Sequence, residues 1–177
     1  MLDPKGWRNN LRNCLSAIEC DDSNAYEKII SLLDRGTLFF IGNGGSAAIC
    51  SHMAIDYTKN GEYKAMAFND AAAITCLSND FRYREVFSYQ LKRWAKKDDI
   101  VFCISSSGES DNIIDAAKVA KEKGCFVITL SAFKPDNPLR KMGNINFYVP
   151  TMEYGYAEIT HLSILHSILD LAMKEKT

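Results

Sequence analysis

The spacing of apolar residues changes several times along this chain, and each change marks an element. Trp7, Leu11, Leu15 and Ile18 recur three to four residues apart. That is the period of a helix with one buried stripe, and it predicts an amphipathic helix over about residues 4–20. Asp21, Asp22, Ser23 and Asn24 form a turn with N-cap candidates. Tyr26, Ile29, Ile30 and Leu33 predict a second helix over residues 25–34, stopped by Gly36. The pattern then switches to a continuous apolar run at residues 38–41, bounded by glycine, which reads as a strand buried on both faces. Similar runs at residues 63–68, 100–104, 125–130 and 145–149 predict four more strands. Helical spacing returns at about residues 47–57, 81–95, 111–123 and 156–174. Residues 70–77 form a stretch of small side chains, 78–80 a turn or cap, and 139–142 one helical turn after a proline-bearing loop.

Strands alternating with helices predict an α/β fold with a parallel sheet covered on both faces. The arrangement expected is a flavodoxin-like three-layer sandwich of five strands in the order 2-1-3-4-5. Residues 1–36 would form an N-terminal helical extension of a single domain, 1–177. In such sheets ligands bind beyond the carboxyl ends of the strands, where the strand order reverses. Here that point lies between the first and third strands. The loops following those two strands are Gly42-Asn43-Gly44-Gly45-Ser46 and Ser105-Ser106-Ser107-Gly108-Glu109-Ser110. Glycine lets backbone approach a ligand closely, and each loop opens a helix whose N-terminus favours an anion. The first loop is not a Walker loop, since no Gly-Lys-Ser/Thr follows, and Ala47 stands where a dinucleotide fingerprint would have its third glycine. Neither loop contains Lys or Arg. Neutral donors and helix dipoles suit a small phosphorylated metabolite better than a nucleoside triphosphate with Mg2+.

Composition narrows the picture. The chain is 47% hydrophobic and 24% charged, which allows a packed core, and its net charge of −1 argues against a nucleic-acid partner. Six scattered cysteines without a C-x-x-C pair suggest free thiols in a reducing compartment. The polar N-terminus has no signal-type apolar region, and no apolar run approaches the length of a membrane span, so a cytoplasmic protein without a membrane partner is expected.

All three histidines lie on two predicted helices, each with a carboxylate. His52 and Asp56 are four apart and share a face. At that spacing the pair can bind Zn2+, act as an acid/base couple, or simply stabilise a solvated helix. The last helix carries Glu158, His161 and His166. Glu158 and His166 would stand about 12 Å apart along a continuous helix, so they would meet at one metal only across a bent helix start or between subunits. The apolar faces of the two N-terminal helices are wide enough to suggest a further subunit.

Taken as an ordered series, Gly42 to Ser46, Leu77-Ser78-Asn79-Asp80-Phe81, Ile104 to Ser110, Val127-Ile128-Thr129-Leu130 and the final Glu/His helix resemble the SIS (sugar isomerase) domain, and within it the phosphoheptose isomerases. The resemblance implies conversion of sedoheptulose 7-phosphate to D-glycero-D-manno-heptose 7-phosphate for heptose-containing glycans. It also implies a homotetramer with active sites shared between subunits, and one Zn2+ per subunit. By the same resemblance Ser105, Ser106, Ser107 and Ser110 hold the phosphate, and Asn43, Gly44, Gly45, Ser46, Asp80 and Glu158 contact the sugar. His52, Asp56, Glu158 and His166 supply the metal and acid/base set, with Asp56 and His166 as catalytic candidates. The chain departs from the family in having Asp56 for the usual Glu, Glu158 for Gln, Asn60 for Arg and Gly155 for Asp. The alternatives are an isomerase for another sugar phosphate, or a non-catalytic SIS protein that binds the replication initiator or senses a sugar phosphate.

Overall fold

The five apolar runs lie side by side in one sheet. The computed structural model describes residues 3–176. In chain order its elements are α1 (Pro4–Ser16), β1 (Glu19–Cys20), α2 (Ala25–Ile30), β2 (Leu38–Gly42), α3 (Gly44–Lys59), β3 (Ala65–Ala67), α4 (Ala71–Asp80), α5 (Val86–Trp94), β4 (Ile100–Ser105), α6 (Asp111–Glu122), β5 (Phe126–Ser131), β6 (Ile145–Tyr148) and α7 (Tyr154–Glu175). The sheet order is β1-β6-β5-β4-β2-β3, and the four parallel pairings among β2 to β6 follow the 2-1-3-4-5 order expected of the apolar runs. β2 pairs in parallel with β3 on one side and β4 on the other, which is why all five of its residues are buried.

Alternate residues of β2 feed opposite layers, as strand geometry requires. Leu38 and Phe40 join Ile29, Leu33, Met53, Tyr57 and Leu165 beneath α2, α3 and α7. Phe39 and Ile41 join Val86, Phe87, Leu91 and Ile113 beneath α5 and α6. Phe40 stacks on Phe102 of β4 with ring centroids 4.6 Å apart.

Three features differ from the pattern-based expectation. The sheet has a sixth strand: α1 stops at Ser16, and Glu19–Cys20 pairs antiparallel with Tyr148 and Phe147 on the edge. Arg140 bonds Glu19 at 2.6 Å, and Asp21 accepts the Asn146 backbone N–H at 2.9 Å, fixing this short strand. Residues 71–80 are helical, N-capped by Asp70, which accepts the Ala73 N–H at 3.0 Å. The helix expected over 81–95 is a single 3-10 turn (Tyr83–Glu85) followed by α5, because Arg82 is extended. At the N-terminus, Ile29 and Leu33 are spent covering this chain's own sheet, whereas Trp7 leans on Tyr156 at 5.1 Å and stays 42% exposed. Among the described residues no helix is long and apolar enough to cross a membrane.

The helices α3 and α7 matter most for the site. Both begin at the carboxyl edge of the sheet and pack together. The buried Tyr57 hydroxyl donates to the Leu165 carbonyl at 3.0 Å, and these two residues are the chain neighbours of Asp56 and His166. This bond ties the two helices together beside the site residues, within the apolar packing of Met53, Ile164 and Ile168. Tyr57→Phe should lower the stability of the protein by about 1 kcal/mol in urea unfolding, the net worth of one buried hydrogen bond. An unchanged midpoint would show that the bond adds nothing to stability.

Candidate active site

The crevice between the ends of β2 and β4 is lined by Asn43, Gly44, Gly45 and Ser46 on one side and Ser105, Ser106, Ser107 and Ser110 on the other, with Tyr154 and Glu158 of α7 closing it. Its volume is about 220 Å³. Gly44 and Gly108 adopt φ of +53° and +64°, the left-handed region that glycine enters without strain. The helices α3 and α6 start at this crevice, and neither has a side-chain cap bond at its N-cap residue, Asn43 or Ser110. Their first-turn N–H groups and partial positive charge are available to an anion.

The serine loop is itself ordered by hydrogen bonds. Ser105 Oγ donates to Ser110 Oγ at 3.2 Å and accepts the Gly108 N–H at 3.2 Å, while Ser107 Oγ accepts the Glu109 N–H at 3.2 Å. Behind it, buried Asn137 donates to the Lys134 carbonyl at 2.8 Å and accepts the Arg140 N–H at 3.0 Å. A Cβ on Gly108 would collide with this Asn137 amide. On the other wall, a Cβ on Gly45 would collide with the Glu158 carboxylate, so glycine is what allows α7 to bring Glu158 against the first loop.

Farther along the same two helices a second cluster forms. His52 Nε2 lies 3.2 Å from His166 Nε2 and 3.5 Å from Asp56 Oδ2. One donor atom from each of the three residues falls within 4.8 Å of the others. Two ligands held tetrahedrally at about 2.0–2.1 Å from one Zn2+ are about 3.3 Å apart. The cluster therefore fits a zinc ion, and three protein ligands leave a fourth position open, as catalytic zinc sites do. Without a metal, one imidazole donates to the other. Helical rise puts His52 about 10 Å beyond Gly45, and His166 about 12 Å beyond Glu158. The crevice and the cluster thus lie at successive positions along the same two helices, α3 and α7.

The SIS domain family matches residues 7–132 of the chain. A phosphoheptose isomerase from Helicobacter hepaticus is 36% identical over 155 residues, 83% of this chain and 78% of that protein. One from Proteus mirabilis is 34% identical over 186 aligned residues, 97% of this chain and 95% of that one. The chain belongs to the SIS-domain phosphoheptose isomerase family. The solved phosphoheptose isomerase of Neisseria gonorrhoeae superposes with a TM-score of 0.76 at 27% identity, covering 95% of this chain and 89% of that one.

The residues singled out from sequence separate into three groups. Asn43, Gly44, Gly45, Ser46, Ser105, Ser106, Ser107, Ser110 and Glu158 line the crevice. His52, Asp56 and His166 form the second cluster. Glu158 is not in that cluster within one chain: α7 is continuous from Tyr154 to Glu175, so the helical rise between Glu158 and His166 keeps them apart. Asp80 lies on the exposed end of α4, where its carboxylate accepts from Asn79 at 2.9 Å, and it is not among the crevice-lining residues. Asn60 is the C-cap of α3, and Gly155 faces Trp7. Residues that the sequence reading passed over are Tyr154, in the lining, and Asn112 and Tyr83, which both hydrogen-bond Asn43. Only the place of Tyr154 one helical turn before Glu158 could have suggested it.

His161 has a different fate from the other two histidines. It is fully buried, and its Nε2 donates to the Ser131 carbonyl at 3.2 Å, a group that can only accept. Its Nδ1 has no partner among the described residues. Burial pushes its pKa down from 6.5 to about 4, against a smaller opposing effect of the Ser131 hydrogen bond. A depressed folded-state pKa means the unfolded chain takes up the proton first. The stabilisation from neutral His161 is complete above pH 6.5 and is lost as the pH falls to about 4. The expected slope from this residue is about 1.4 kcal/mol per pH unit across that window. Urea midpoints of the unsubstituted protein should therefore fall more steeply with acidification than those of His161→Gln. Parallel pH profiles would contradict this assignment.

Proposed function

We propose that the protein is an aldose–ketose isomerase that interconverts sedoheptulose 7-phosphate and D-glycero-D-manno-heptose 7-phosphate, for heptose-containing glycans. The observation that carries this reading is the pairing, on the same two helices, of a cationless anion crevice with a His/Asp/His cluster. Family membership adds the reaction class.

The serine hydroxyls and the N-termini of α3 and α6 would hold the phosphate. Binding energy from that remote end would place the reacting carbons at the cluster. From phosphorus to C2 of a heptulose 7-phosphate is seven bonds, about 8 Å when extended at roughly 1.2 Å per bond. With a further reach of about 3 Å for a hydrogen bond, a substrate of that length is comparable with the axial offsets of about 10–12 Å along α3 and α7.

In the ketose-to-aldose direction, a base removes a proton from C1, the electron pair forms the C1–C2 double bond, and the C2 carbonyl oxygen takes a proton. The enediol then loses its O1 proton as the C1 carbonyl forms, and C2 is protonated. No external oxidant or reductant is needed. Asp56 and His166 are the candidates for the base, and a lone pair engaged with a metal is not free to take the proton. Glu158, at the first loop, would orient a sugar hydroxyl. One Zn2+ per subunit, held by His52, Asp56 and His166, would supply a Lewis acid that polarises the carbonyl oxygen.

We read residues 1–177 as one SIS domain, with the stretch beyond residue 132 supplying Glu158 and His166. Homotetrameric assembly with shared sites is also part of the proposal. Ile55 and Ile159, 57% and 41% exposed, flank the cluster and Glu158 with apolar surface that a second copy of the chain could cover. A cytoplasmic location agrees with six free cysteines.

With sedoheptulose 7-phosphate as substrate, purified protein should produce the aldose. Ser107→Ala and Ser110→Ala should each weaken substrate binding by about 1–2 kcal/mol, the worth of a hydrogen bond to a charged group. A strong chelator should lower activity. Turnover of a pentose phosphate in preference to the heptulose would overturn the substrate assignment, and unchanged binding in both serine variants would overturn the phosphate site.

A further inference from the structure

The side chains of Asn43 and Asn112 meet face to face between the two loops. Asn43 Nδ2 donates to Asn112 Oδ1, and Asn112 Nδ2 donates to Asn43 Oδ1, both at 2.9 Å. The Tyr83 hydroxyl donates to the same Asn43 Oδ1 at 2.8 Å. Asn112 is 3% exposed. The two lone pairs of the Asn43 oxygen are thus both engaged, and its amide keeps a single N–H for any ligand.

The position of this pair gives it a purpose. The ladder between β2 and β4 runs up to Gly42 opposite Ile104. Asn43 is the next residue, so the amide pair continues the cross-connection where the ladder ends. Asn112 sits in the first turn of α6, directly after the serine loop. The 3-10 turn at Tyr83–Glu85 spans the same gap a second time. Tyr83 bonds the first loop, and its neighbour Arg84 bonds Asp115 of α6 through Nη2 at 3.2 Å.

We propose that Asn43, Asn112 and Tyr83 form a clamp that fixes the spacing between the glycine loop and the serine loop, and that Asn112 and Tyr83 are positioning residues for the phosphate. An anion held only by neutral donors depends on several of them converging at once. A small splaying of the loops would therefore cost affinity without touching the reacting end. The ligand in this inference rests on the sugar-phosphate reading above, whereas the clamp geometry does not.

Hydrogen–deuterium exchange on the full chain, with and without inorganic phosphate, tests the clamp in Asn112→Ala and in Tyr83→Phe. In Asn112→Ala, backbone amides of residues 43–47 and 105–112 should exchange faster together, with β5 and α7 unchanged. The phosphate concentration that restores their protection should rise about tenfold, as expected from two lost hydrogen bonds. KM for the sugar phosphate should rise in parallel, with kcat within about twofold. Tyr83→Phe, which removes one exposed hydroxyl and leaves the fold intact, should act in the same direction by about threefold. Unchanged loop exchange and phosphate affinity in both variants would overturn the clamp. So would faster exchange throughout the sheet in Asn112→Ala combined with no effect of Tyr83→Phe, or a fall in kcat with KM unchanged. The exchange readout needs no turnover, so a failed isomerase assay and a failed clamp are separate results.

Discussion

The parallel pairing of β2 with β4 is the constraint on which the rest of the structure depends. These strands are distant in sequence, and register from Leu38 opposite Ile100 to Gly42 opposite Ile104 brings their ends level. The chain leaves β2 toward one face of the sheet and β4 toward the other, so α3 and α6 diverge and a crevice opens between their N-termini. Both connections are rich in glycine and serine, and both helix starts lack side-chain caps. Anion-binding capacity therefore arises from backbone and hydroxyl groups without burying a lysine or arginine, whose desolvation would be costly.

A second consequence comes from α7. Because it starts at the same edge of the sheet as α3, residues at matching depths face one another: Glu158 meets Gly45 at the crevice, and His166 meets His52 two helical turns farther on. In the proposed reaction the two sites would divide two jobs, with binding at the crevice and proton transfer at the cluster. That separation is what a linear sugar phosphate requires, because the phosphate and the isomerised carbons sit at opposite ends of the molecule.

Much of this was legible in the sequence. The apolar runs of β2 and β4 have no polar interruption before Gly42 and Ser105, so their burial could be read directly, and the reversal point followed from the alternation of elements. β1 escaped because two exposed residues carry no periodicity. α4 escaped because none of its residues is buried, so no apolar stripe marks it. The three histidines look alike in sequence, yet His161 turns under β5 and is neutral and buried, while His52 and His166 meet between α3 and α7. Helical rise alone warned that Glu158 and His166 could not meet within a straight helix, and the continuous α7 keeps them apart. The amide pair of Asn43 and Asn112 joins residues 69 apart, and no local pattern encodes such a contact.

In the proposed reaction the crevice and the cluster together move a proton between adjacent carbons of a phosphorylated sugar held by its far end. Incubating the protein with sedoheptulose 7-phosphate in D2O and following the sugar by NMR tests that most directly. The account predicts deuterium at C2 of the aldose product and loss of this incorporation in His166→Ala, while inorganic phosphate still protects the serine loop from exchange in that variant. Aldose formed without solvent deuterium would favour direct hydride transfer between the carbons and would contradict an enediol route. No incorporation and no product, with phosphate bound normally, would leave the crevice a binding site and contradict the isomerase.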